Sequence, residues 1–125
     1  MPKRTINIAR VYDPAKDADA RFLVDRIWPR GIKKANLHLD AWLKEVAPSD
    51  ELRRWFGHDP ARWSDFRRRY EAELDANPAG WHPIVEAARN GTVTLLFAAH
   101  DQEHNQAVVL RDYLTRKLEG HESRR

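Results

Sequence analysis

The chain has 125 residues, a length that suits one compact domain. Apolar residues make up 42% and charged residues 33%, with a formal net charge of +3 and a pI of about 9.4. A core can therefore form, and disorder over the whole chain is not expected. There is no cysteine, which excludes disulfides, zinc–thiolate sites, iron–sulfur clusters and thiol nucleophiles.

No N-terminal apolar run resembles a signal peptide, and no stretch approaches the length of a membrane span. A cytoplasmic protein with no membrane partner is the expectation. Charges of both signs are mixed along the chain, as on an ordinary surface. The denser basic runs are Lys33-Lys34, Arg67-Arg68-Arg69 and Arg124-Arg125.

Residues 4–11 alternate as a strand does, with Ile6 and Ile8 apolar around Asn7. Tyr12-Asp13-Pro14 breaks the pattern, and Asp17 to Ala20 reads as a loop. Phe22 to Trp28 predicts a second strand, apolar on both faces and ended by Pro29. Leu37 to Val46 is ambiguous between helical and strand spacing; a short strand over Trp42 to Val46, ended by Pro48, is favoured. Ser49 can cap a helix whose inner face is Leu52, Trp55 and Phe56. Gly57-His58-Asp59-Pro60 then breaks the chain, with Asp59 as the next cap and Pro60 at the first helical position. Trp63, Phe66, Tyr70 and Leu74 form the apolar seam of a further helix. Asn77-Pro78-Ala79-Gly80 ends it, and another helix is expected over 81–89, stopped by Asn90-Gly91. Thr92 to Ala99 is the strongest strand, with neither face polar, so it should be fully buried and parallel to its neighbours. A last helix carries Ala107, Leu110, Leu114 and Leu118 on one face.

The pattern predicts an α/β fold: a single small domain at 1–120, with a mostly parallel sheet flanked by helices, and a flexible tail at 121–125. No repeat or linker divides the chain, and nothing in the sequence signals an oligomeric state.

Two constellations could carry chemistry. The first is Asp25, Arg26, Trp28, Arg30 and Lys33. Strand alternation would place Arg26 and Trp28 on the face of Phe22 and Val24, and Asp25 on the other. Charges in an apolar strand are costly unless satisfied, and these lie near its carboxyl end, where open α/β sheets bind ligands. Arg26 and Arg30 could clamp a phosphate or carboxylate, and Trp28 could stack on a flat ring. The plainer alternative makes Asp25 and Arg26 structural pairs and Trp28 a core residue.

The second constellation is His100, Asp101, Glu103, His104 and Asn105, after the central strand. Asp101 is a plausible N-cap. His104 then falls in the first helical turn, where the dipole disfavours an imidazolium, so that it could act as a general acid or base with Asp101 orienting it. The alternative is a buried structural histidine beside a plain cap. His58 is a third polar candidate, or simply a turn residue. His100 and His104 have a metal-pair spacing, but no HExxH-type motif surrounds them, and no metal is expected. The GxGxxG, GxxxxGK[ST] and GxSxG signatures are missing, and no cofactor is expected.

Several segments carry a resemblance. Asp25-Arg26-Ile27-Trp28-Pro29-Arg30-Gly31 resembles the VDRxWPRG signature of the domain-of-unknown-function 488 family, YeaO-like branch. Trp42 to Ser49 is similar to its WLKEVAPS segment, Leu52 to Pro60 to LRxWFGHDP, and Trp63 to Tyr70 to WxxFxxRY. Leu95 to Val108 resembles the closing LLxAAxDxxHNxAxVL, with a departure at His100, for which the resemblance carries no role. The likeness covers about residues 4 to 118. It implies a compact α/β domain of bacterial or archaeal type and no particular activity.

The leading expectation is a site for a small anionic, nucleotide-like molecule at the carboxyl edge of the strands. Asp25, Arg26, Trp28, Arg30, His58 and Asn105 would bind it, and His104 and Asp101 would supply any acid/base chemistry. The alternative is a nucleic-acid or protein-interaction module that uses the basic surface around Arg67 to Arg69, the motifs then being structural.

Overall fold

The apolar run that stands out in the sequence lies at the centre of the structure. The computed structural model describes residues 6–13 and 20–123. Four strands form one parallel sheet: β1 (Ile6–Arg10), β2 (Ala20–Leu23), β3 (Ala41–Trp42) and β4 (Val93–Phe97), in the order β1-β4-β2-β3. β4 has partners on both sides. Ile6 stands opposite Val93 and Arg10 opposite Phe97 on one side, and Ala20 opposite Val93 and Leu23 opposite Leu96 on the other. All five residues of β4 are buried, as a strand without a polar face requires. Its even and odd positions enter two different cores.

Val93, Leu95 and Phe97 join Phe22, Val24 and the inner faces of four helices in the larger core. The helices are α1 (Asp50–Phe56), α2 (Trp63–Asp75), α3 (Pro78–Asn90) and α4 (Gln106–Ser123). They cover one face of the sheet. The opposite face buries Val11, Leu23 and Leu96 beneath Trp28, Ile32, Leu37, Leu39 and Trp42. Apart from Trp42 of β3, that cover is the irregular connection from β2 to β3, with one short 3₁₀ turn at Lys34–Asn36. The α/β architecture thus has helices on one side and an irregular layer on the other.

The caps near the middle of the chain follow local chemistry. Ser49 Oγ accepts from the Leu52 amide at 3.1 Å and opens α1. Gly57 ends α1 in the left-handed region at φ 52°. Asp59 caps the turn Pro60–Arg62 through the Ala61 amide, and the turn runs into α2. Phe66, Tyr70 and Leu74 of the seam are buried, with Trp63 half-buried above them.

Other boundaries differ from expectation. Of the first expected strand, residues 4 and 5 lie outside the described residues, as do 17–19 of the expected loop; Ala20 already belongs to β2. β2 starts two residues early and ends at Leu23, although the Val24 amide still donates to Leu96 O at 3.0 Å. A continued ladder would next give the Ala98 amide a carbonyl acceptor from this segment. The side chain of Asp25 takes that amide instead, at 2.9 Å. Alternation therefore stops there, and Trp28 packs with Leu23 rather than with Val24.

β3 covers only Ala41–Trp42, because the chain turns into a 3₁₀ turn at Lys44–Val46. α3 begins at Pro78 rather than near 81, since proline suits the first helical turn, and it tolerates Pro83 in its second turn. It ends at Asn90, with Gly91 in extended conformation. α4 continues to Ser123, into the expected tail; Arg124 and Arg125 lie outside the described residues. Among the described residues, no helix is long and apolar enough to cross a membrane.

Candidate functional site

A parallel sheet delivers all its carboxyl ends to one edge. Here the segments leaving β1, β2 and β4 meet the end of α1 and the start of α4. Between them opens a cleft of about 490 Å³. Phe56, Phe66, Ala98 and Pro48 give it apolar walls, and Ile27 and Tyr12 stand exposed beside it.

Asp25 lies in this cleft. One carboxyl oxygen accepts from the Ala98 amide and the other from Gln106 Nε2, so a single side chain ties β2 to β4 and α4. Its carbonyl accepts from Trp42 Nε1 at 2.7 Å, which fixes β3's end as well. Burial pushes the Asp25 carboxyl up to about 6, against the opposing effect of the two hydrogen bonds.

Arg26 lines the cleft but is engaged. Its Nε and Nη2 donate to the carbonyls of Pro48 and Ala47 at 3.0 and 3.1 Å, and Asp50 stands 4.0 Å away. It holds the segment that leads into α1. Trp28 also reaches the cleft, yet its ring meets Trp42 edge-on at 5.3 Å and its Nε1 donates to Ile32 O at 2.7 Å. The indole is committed to the layer under the sheet.

Arg30 is exposed on the cleft wall. Its carbonyl accepts from Tyr12 Oη at 2.8 Å, which anchors the loop to the end of β1. Among the described residues its guanidinium has no hydrogen-bonding or ion-pair partner. Arg53 is held by Asp50 at 3.1 Å. His58 is also exposed, with its ring 6.1 Å from that of Phe56. Its φ of 58° follows Gly57 in the left-handed region, a conformation that histidine adopts more readily than bulkier residues. Asn105 is buried and lines the cleft at the start of α4.

His104 and Asp101 are elsewhere. Neither lines the cleft. α4 starts at Gln106, so His104 precedes the helix instead of occupying its first turn, and Asp101 does not cap it. Asn105 is the cap: its Oδ1 accepts from the Val108 amide at 3.1 Å, and its Nδ2 donates to Asp101 O at 2.8 Å. Asp101 closes the preceding loop by accepting from the Glu103 and His104 amides, both at 2.9 Å. Those bonds hold its carboxyl below the usual range. His104 Nδ1 is 3.0 Å from Asp101 Oδ2, and its ring lies edge-on to Trp63 at 5.2 Å.

The basic run on α2 is internally partnered. Arg67 pairs with Asp112 at 2.7 Å, Arg68 with Asp65 at 2.6 Å, and Arg69 lies over the Trp55 ring at 4.3 Å. Among the described residues, no three histidine or acidic side chains converge as metal ligands would.

A family model described as the inactive DUF488-N3 subclade matches residues 5–125. The chain belongs to this DUF488 family. It is 44% identical to the uncharacterized protein YeaO of Escherichia coli K12 over 110 residues, 87% of this chain and 96% of YeaO. It is 38% identical to the uncharacterized protein Rv3073c of Mycobacterium tuberculosis H37Rv over 110 residues, 87% of this chain and 92% of the relative. No solved structure matches significantly. The YeaO-like motifs of this DUF488 protein, Asp25 to Gly31 and Trp42 to Pro60, thus supply much of the cleft.

Sequence reasoning missed Tyr12 and Gln106. Tyr12 reads as a strand breaker, and its hydroxyl contact with the Arg30 carbonyl spans 18 residues. Gln106 beside Asn105 is a polar pair at a helix start, a usable signal only once that start is placed correctly.

Proposed function

We infer that this DUF488 protein is a binding module for a small anionic molecule, held in the cleft at the carboxyl edge of its sheet. The observation that carries the reading is Arg30, an exposed arginine whose guanidinium has no partner among the described residues, set on a concave and largely apolar site. A guanidinium in that setting suits a phosphate or carboxylate, which it can meet through two parallel hydrogen bonds. Asp25, His58 and Asn105 supply further polar groups, while Arg26 and Trp28 shape the walls. A nucleotide phosphate of the cytoplasm is one ligand of this kind.

Binding without turnover fits two observations. The family is described as inactive, and the His104–Asp101 pair stands apart from the cleft lining. A thermal-shift screen of nucleotides, sugar phosphates and carboxylates should find ligands that raise the Tm of the wild-type protein. Arg30→Ala should abolish that rise and Arg30→Lys should retain part of it. An undiminished shift in Arg30→Ala would remove the basis of the reading.

A further inference from the structure

Among the described residues, Asp25 is the one acidic side chain in the cleft lining. Each of its oxygens accepts one hydrogen bond, from the Ala98 amide or from Gln106, and an ionised carboxylate has lone pairs for more. No cation of the described residues pairs with it. Arg26 is turned to the carbonyls of Ala47 and Pro48, and Arg53 to Asp50. His58 lies against Phe56, and Tyr70, facing from α2, donates its hydroxyl to Val46 O. Asn105 and Gln106, which line the cleft at the start of α4, are uncharged. Arg30 stands on the exposed part of the wall.

Burial raises the Asp25 carboxyl to about 6, so near neutral pH the cleft contains a largely desolvated negative charge that meets two hydrogen-bond donors but no paired cation among the described residues. A ligand carrying only negative charge would meet repulsion from it. A ligand nitrogen that is positively charged and carries N–H groups would offset the charge and use the remaining lone pairs.

We propose that Asp25 is the inner recognition group of the cleft and that the ligand is an amine-bearing anion, its nitrogen donating to Asp25 and its phosphate or carboxylate meeting Arg30. This rests on the anion site inferred above. Proton and amine then compete for one carboxylate, so affinity for such a ligand falls as pH drops through about 6.

The test uses the full chain and calorimetric titration. A homologous series of ω-aminoalkyl phosphates and ω-amino carboxylates is compared with the unaminated alkyl compounds of equal length. On the wild-type protein, the best amine should bind at least about tenfold more tightly than its match near neutral pH, and the gap should close on acidification. Asp25→Asn should lose only the preference for the amine, whereas Arg30→Ala should weaken both series alike. Equal binding of aminated and unaminated compounds by the wild-type protein would overturn the role of Asp25 and leave the anion site standing. This comparison does not depend on any variant folding. Persistence of the amine preference in folded Asp25→Asn would also overturn it. Failure of both series to bind would bring down the anion site, and this inference with it.

Discussion

The carboxylate of Asp25 closes the ladder between β2 and β4 and has no paired cation among the described residues. Its folded value of about 6 lies above the ordinary carboxylate value of 3.8, so the folded state favours the protonated form. The stability that this preference contributes is fully present below pH 3.8 and is lost as pH rises through about 6. The upper bound on that change is about 3 kcal/mol, from 1.36 kcal/mol per pK unit. Comparing wild type with Asp25→Asn by urea denaturation across this window should isolate it: the wild-type protein should lose stability relative to the variant between about pH 4 and 6. A constant difference would mean that folding leaves the Asp25 carboxyl at its ordinary value. Asp101 has the opposite character. It is held low by two backbone amides in an open loop, and it needs no external partner.

At the scale of the element, the start of α4 shows how a local rule can choose the wrong residue. Asp101 and Asn105 are both good capping residues four positions apart, and sequence favours neither. The burial of Ala107, Leu110 and Leu114 sets the helix register, and that register makes Asn105 the cap. Asn105 is buried and makes two hydrogen bonds, whereas Asp101 is partly exposed to water. Asn105→Ala should therefore cost about 2 kcal/mol in chemical denaturation, and Asp101→Ala clearly less. A reversed order would place the cap at Asp101 instead. α1, in contrast, was legible from its ends alone. Ser49 and Gly57 bracket it by side-chain chemistry and a left-handed φ, both of which are properties of single residues.

Over the whole molecule, the two faces of the sheet are covered by different materials. Four helices with internally hydrogen-bonded backbones shield one face, and an irregular segment between β2 and β3 shields the other. Among the described residues, few of that segment's amides have backbone partners, apart from Val24 to Leu96 O, Leu37 to Lys34 O and Asp40 to Arg21 O. Local opening should be easiest where regular hydrogen bonding is sparse. Hydrogen exchange should thus be slowest in β4 and faster across residues 25–40. A ligand that docks on Arg30 should slow exchange in that segment first. Uniform protection across both layers would contradict this division.

The sequence by itself determined the elements whose signal is local: the buried parallel strand at 93–97, the α2 seam, the caps at Ser49 and Asp59, and membership of an α/β class. It also pointed to Asp25, Arg26, Trp28, Arg30, His58 and Asn105, all of which the fold brings to the cleft lining. Tertiary structure decided what each of these groups is free to do. Arg26 and Trp28 look available in the sequence, yet carbonyls and a second indole from distant segments occupy them. His104 looks helical, yet the helix register leaves it outside. The reason is physical: spacing reports which face a side chain takes, but a partner twenty or eighty residues away settles whether its hydrogen bonds are already made.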